Sequence, residues 1–170
     1  MGRSTLGHHR CVYGRFMTAD AAVSIVTDAP AQRVWELVAD VTRMGEWSPE
    51  TTSCRWVGGA SRPEVGARFR GANRRGWHRW TTSCRVVSSV PGERFVFDVT
   101  LLGMPVAEWG FTMSPHGDQT RVDEWFVDRR SPLVRFLGRI GTGVADRRSH
   151  NRATMEATLA AVDRAASATG

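Results

Sequence analysis

The 170 residues are 41% hydrophobic and include 7 Trp and 7 Phe, enough apolar matter for a sizeable core in one domain. The 23 basic residues are all Arg and outnumber the 17 acids, for a net charge of +6. A chain without Lys has no Schiff-base lysine and no phosphate-loop lysine. No apolar run approaches the roughly 18 residues of a membrane span, and no apolar signal core opens the chain, so a cytoplasmic protein is expected.

Residues 1–20 are rich in Gly, Arg and Ser without apolar periodicity and read as a disordered tail, with Met17 an alternative start. A single domain is expected over residues 21–170. It opens with a short β-branched strand, Ala22–Thr27. Asp28-Ala29-Pro30 then starts a helix, with Pro30 at its first position, where a missing N–H costs nothing. Val34, Leu37, Val38 and Val41 give that helix one apolar face as far as about Asp40. A short turn at Thr42–Glu46 follows, before Trp47-Ser48-Pro49.

Strands are predicted next at Thr52–Val57, Ala67–Asn73, Trp77–Val90, Arg94–Leu101, Val106–Met113 and Thr120–Val127, joined by Gly- or Pro-bearing turns. The turn at Arg74-Arg75-Gly76 reads as a hairpin, and Trp77–Val90 is long enough to need a bulge. Seven strands at hairpin spacing, bracketed by helices, indicate α+β with an antiparallel sheet. From Ser131-Pro132 the period is helical again: Leu133, Leu137, Ile140, Val144, Met155, Leu159 and Val162 fall on one stripe. Gly141 and Gly143 predict a break, and the firm helix runs from about Val144 to Ala166. Arg148 and Asn151 stand on that stripe where apolar residues are due. Either part of the core is a cavity or its mouth, or the helical phase slips at the glycines.

Cys11, Cys54 and Cys84 form no metal spacing and read as free thiols, and no cofactor motif is present. From Ala21 onward 20 Arg are interspersed with 16 acids, which reads as a solvated surface and makes nucleic acid or a ribosome an unexpected partner. Alternation along each strand sorts side chains by face. With Arg68, Arg70, Arg79, Arg85, Asp98, Arg121 and Asp123 outward, the inward residues include Phe69, Gly71, Asn73, His78, Trp80, Thr82, Cys84, Phe95, Phe97, Val122, Glu124 and Phe126. On the sixth strand Trp109, Phe111 and Met113 are placed inward and Glu108 outside. Asn73, His78 and Glu124 are the polar residues on this apolar face. A buried carboxyl needs a partner or takes up a proton, and Glu124 could pair with Arg148, His78 or a ligand hydroxyl. Asn73 could brace the hairpin turn instead.

Three strings, "DAPAQRVWELVADVTRMGEWSP" at Asp28–Pro49, "GARFRGANRRGWHRWTTSCRVV" at Gly66–Val87 and "GDQTRVDEW" at Gly117–Trp125, resemble the START-like (SRPBCC) superfamily. Within it they resemble the polyketide cyclase/dehydrase and lipid-transport family, of actinobacterial type. The resemblance implies a helix-grip fold: a bent sheet of about seven antiparallel strands wrapped on a long C-terminal helix, with two short helices after strand 1. It also implies a cavity for a small hydrophobic ligand (lipid, polyketide or isoprenoid-like) between sheet and helix. The candidate ligand-binding residues are Trp47, Phe69, Asn73, His78, Trp80, Phe97, Trp109, Phe111, Glu124, Phe126, Arg148 and Asn151. A monomer or a homodimer is compatible with it. Two alternatives stand beside simple binding: a polyketide cyclase/dehydratase using His78 and Glu124 as acid/base, and a ribosome-associated, toxin-like interaction protein using the positive surface.

Overall fold

Strand-forming residues at period two dominate the middle of the chain, and the backbone follows them. The computed structural model describes residues 19–131 and 147–168, without the side chains of residues 147 and 148. Seven strands, β1 (Ala21–Thr27), β2 (Thr51–Val57), β3 (Arg68–Arg75), β4 (His78–Val90), β5 (Arg94–Leu101), β6 (Met104–His116) and β7 (Gln119–Asp128), form one antiparallel sheet. The strand order is β1-β7-β6-β5-β4-β3-β2. From β2 onward each strand pairs with the next in sequence. Only β1 pairs with a distant one, β7, so β1 and β2 are open edges and the sheet does not close.

Between β1 and β2 the chain passes through α1 (Ala31–Ala39) and a 3₁₀ turn, Val41–Glu46. The α1 face bearing Val34, Leu37, Val38 and Ala39 is buried. Pro30 stands one residue before the first helical residue rather than inside the helix, and its carbonyl accepts the first helical bond from Val34 N at 3.1 Å. The Asp40 carboxylate accepts from Thr42 N at 3.1 Å and starts the 3₁₀ turn.

The β3–β4 hairpin turns through Gly76 and Trp77, so Arg74 and Arg75 belong to β3 and Trp77 leaves β4. β4 carries the expected bulge, between Val86 and Ser88. After β7 the long helix α2 (Arg147–Ser167) buries Asn151, Met155, Thr158, Leu159, Val162 and Ala166 along one stripe and packs on β1, β7 and α1. The predicted break at Gly141–Gly143 and the apolar residues Leu133, Leu137, Ile140 and Val144 lie outside the described residues.

This is the helix-grip architecture. The inner face of the sheet carries the core, with edge-to-face aromatic contacts from Trp56 to Phe69 (5.6 Å) and Phe69 to Phe97 (5.2 Å). Contacts of this kind add about 1 kcal/mol each beyond simple burial.

The outer face of β1, β7 and β6 corrects two expectations. Glu108 and Asp123 occupy that face as predicted, but both are buried, at 2% and 7% exposure. Arg129 Nη2 donates to Glu108 Oε2 at 2.7 Å, and Arg121 Nε to Asp123 Oδ1 at 2.9 Å. Beside them the fully buried Trp125 indole covers Gly110, where an added Cβ would come within 2.2 Å of Trp125 Cζ2. Arginine stems lying along a face can bury acids there despite the outward phase.

Candidate ligand cavity

The bulged, twisted sheet curls away from α2, and the side chains between them do not fill the space. A cavity of about 330 Å³ remains. Ligand pockets run from about 300 to 1,000 Å³, so this one suits a small molecule. Its wall is chiefly apolar: Val38 from α1, Met44 and Trp47 from the 3₁₀ segment, and Phe69, Phe97, Val99, Trp109, Phe111 and Phe126 from the sheet.

Ten of the candidate residues stand on this wall: Trp47, Phe69, Asn73, Trp80, Phe97, Trp109, Phe111, Glu124, Phe126 and Asn151. His78 does not. Its phase along β4 is the same as that of Trp80, but it opens the strand opposite Arg75 at the hairpin tip, past the end of the cavity, with its ring 6.1 Å from that of Trp77. It cannot serve as partner to Glu124, which lies three strands away on β7. The side chain of Arg148 lies outside the described residues.

Glu124 is 4% exposed and its Oε2 has no hydrogen-bond partner among the described residues. Burial pushes its carboxyl well above the usual range, favouring the neutral acid. Asn73, at the other end of the wall, is engaged instead. Its Oδ1 accepts from Thr51 Oγ1 at 3.1 Å, and its Nδ2 donates to Thr82 Oγ1 at 3.2 Å and to the Gly71 carbonyl at 3.3 Å. It ties β2, β3 and β4 together rather than bracing the turn. The hydroxyls of Thr154 and Thr158 are spent on α2 carbonyls, those of Asn151 at 2.8 Å and Thr154 at 2.9 Å.

Several wall residues were not singled out by sequence reasoning. Cys54 and Cys84 face the cavity as free thiols, pushed up to about 11 and about 12 by burial, so neither is a ready nucleophile. Arg130 reaches the wall, but Asp128 holds it with two bonds, at 2.9 and 2.7 Å. Glu50 meets His150 of α2 at 2.7 Å. This pair stands between the cavity and an outer groove lined by Arg74, Arg75 and Gly76. No local pattern announces a contact between residues 100 apart. The Arg130–Asp128 pair, two residues apart, was open to a local reading. Among the described residues no three His, Cys, Asp or Glu side chains converge as metal ligands.

The geometry thus defines a helix-grip protein, and the comparisons agree on that fold. The family model "Polyketide cyclase / dehydrase and lipid transport" matches residues 18–166, and the chain belongs to that family. No curated protein matches it. Among solved structures it is similar to the Polyketide_cyc-like protein Cgl2372 of Corynebacterium glutamicum, with 28% identity, TM-score 0.53, and 85% of this chain and 86% of that one covered. Ms6760 of Mycobacterium smegmatis shares the fold at TM-score 0.60 and 15% identity, over 88% and 91% of the two chains. DynU16, a putative protein in the dynemicin biosynthetic locus, matches at TM-score 0.57 and 18% identity. That match covers 85% of this chain but 45% of DynU16, so the chain spans under half its length.

Proposed function

We propose that this chain binds a small, uncharged, largely apolar molecule in the cavity, with Glu124 donating a hydrogen bond to a carbonyl or hydroxyl oxygen of it. The observation that carries the reading is the buried carboxyl of Glu124 on a chiefly apolar wall, its Oε2 without a hydrogen-bond partner among the described residues. A neutral carboxyl is a strong donor in a dry pocket, and leaving it unpaired costs about 1–3 kcal/mol that a ligand oxygen would recover. Among the described residues the wall's one Arg is neutralised by Asp128, which favours an uncharged guest over a free acid. Native mass spectrometry of the purified chain tests this: a co-purifying organic molecule, removed by organic extraction, is the expected result. Replacing Glu124 by Ala should weaken rebinding of the extracted molecule about tenfold or more, while a protein that never carries or takes up an apolar molecule would refute the reading.

A second reading adds chemistry to the same cavity. A neutral acid hydrogen-bonded to a ketone helps to enolise it, the step that polyketide cyclisation or dehydration requires. With His78 beyond the cavity, this reading rests on Glu124 alone of the two acid/base candidates. Turnover of a linear β-polyketone to an aromatic product, lost in Glu124→Gln, distinguishes enzyme from carrier; binding without turnover leaves the carrier.

A further inference from the structure

The outer face of β2, β3 and β4 is the strongest unexplained feature of the surface. Alternation puts Arg55, Arg68, Arg70, Arg74, Arg79 and Arg85 on that face, and all six are exposed. The register sets them against one another: Arg55 opposite Arg70, Arg68 opposite Arg85, Arg74 opposite Arg79. No acid occurs on β2, nor anywhere from Val65 to Gly92, and among the described residues none of the six has an ion pair. The interspersion of Arg with acids holds for the chain as a whole and fails here, because three strands bring their Arg together. Like charges directly opposite destabilise a sheet. Of the six only Arg85 has an acid opposite it, Asp98 on β5. Three Arg–Arg pairs on one face are a cost that folding does not explain and an anionic partner does.

Apolar groups mark where that partner sits. Trp77, at the tip of the β3–β4 hairpin, is 88% exposed, and Leu102, in the β5–β6 turn, is 89% exposed. Leu102 also lines the cavity, so the cavity opens at this turn. Both tips lie at the same end of the sheet. Ser83 pairs with Thr100, so β4 runs five residues farther to His78, an overhang of roughly 16 Å. The overhanging tip thus carries an exposed Trp between the opposed Arg74 and Arg79, beyond the cavity mouth at Leu102. Aromatic rings flanked by Arg are the side chains that settle at a lipid–water interface.

We propose that this acid-free face and the Trp77 tip dock the protein on an anionic membrane surface, with the cavity mouth toward the lipid. A nucleic acid would meet the same Arg charge, but it does not account for exposed Trp and Leu on two hairpin tips at the cavity mouth. The proposal does not depend on which molecule the cavity holds.

Flotation of the full chain with vesicles tests it. Phosphatidylcholine vesicles containing phosphatidylglycerol should bind the chain at about 0.1 M salt and release it at about 1 M, where the screening length falls to about 3 Å. Pure phosphatidylcholine should not bind it. Replacing Arg70 and Arg79 by Gln should lower partitioning about 25-fold, at about fivefold per Arg. Brominated lipid should quench tryptophan emission, and Trp77→Ala should abolish that quenching and weaken binding several-fold. All three residues are exposed, and Arg70 and Arg79 each oppose another Arg, so the variants should melt no lower than the parent. Absence of binding to the anionic vesicles overturns the proposal, as does binding that neither the Arg nor the Trp77 replacement alters. Salt-sensitive binding to single-stranded RNA without vesicle binding also overturns it and reassigns the face to nucleic acid.

Discussion

The outer face of this sheet is two different surfaces. Over β1, β7 and β6 its acids are paired and buried: Arg129 covers Glu108, Arg121 covers Asp123, and Trp125 closes over Gly110. Over β2, β3 and β4 it carries six exposed Arg with no acid among them. Both halves obey the same strand alternation. They differ in what lies beside each Arg: Arg121 has Asp123 two residues along β7 and Arg129 reaches Glu108, whereas Arg55, Arg70, Arg68, Arg74 and Arg79 each stand opposite another Arg, and Arg85 stands between Arg68 and Asp98 of β5. The first half holds the fold together. The second is tolerated by the fold, and its charges are available to a partner.

Substitutions can sharpen this contrast. The largest effect is expected at Gly110. In Gly110→Ala the new methyl meets the Trp125 ring at 2.2 Å in a fully buried site, and about 3 kcal/mol should be lost in urea unfolding. Next, Arg129→Ala removes an Arg that donates to the buried Glu108. The loss should be about 2 kcal/mol, since a buried carboxylate keeps its desolvation cost. Equal stability in that variant would mean that the pair contributes nothing and that the two halves do not differ in the way described.

Glu124 offers a smaller effect with a definite sign. Its folded-state pKa is raised, so above the unfolded carboxyl value the native state holds a proton that the unfolded chain has released. Stability from this group is complete below about pH 4.3 and falls as pH rises toward the folded value, by up to about 1.4 kcal/mol per pH unit. Glu124→Gln should flatten that decline in melting curves taken between pH 5 and 8; an unchanged profile would show that the group is ionised in the fold. The smallest effect has the opposite direction. Arg68→Thr relieves the opposition to Arg85 and should stabilise by a few tenths of a kcal/mol, roughly the size of a cross-strand pair. A clear loss there would show that the basic face supports the fold after all.

Strand positions, the bulge in β4 and the inward phase of Phe69, Phe97, Trp109 and Glu124 were legible in the chain because side-chain facing follows a period of two and needs only neighbours in sequence. Tertiary structure alone decided the rest. His78 and Trp80 share a phase, yet only Trp80 reaches the cavity, because position along the sheet depends on where the hairpin ends. The gathering of Arg55, Arg68 and Arg85 on one face depends on the register of three paired strands, and the burial of Glu108 on Arg129, 21 residues on, folding back to it. The 2.7 Å contact of Glu50 with His150 depends on how α2 lies across the curled sheet. Periodicity is a local property of the backbone, whereas register, curvature and depth are set by pairings between distant segments, and the cavity is made by those.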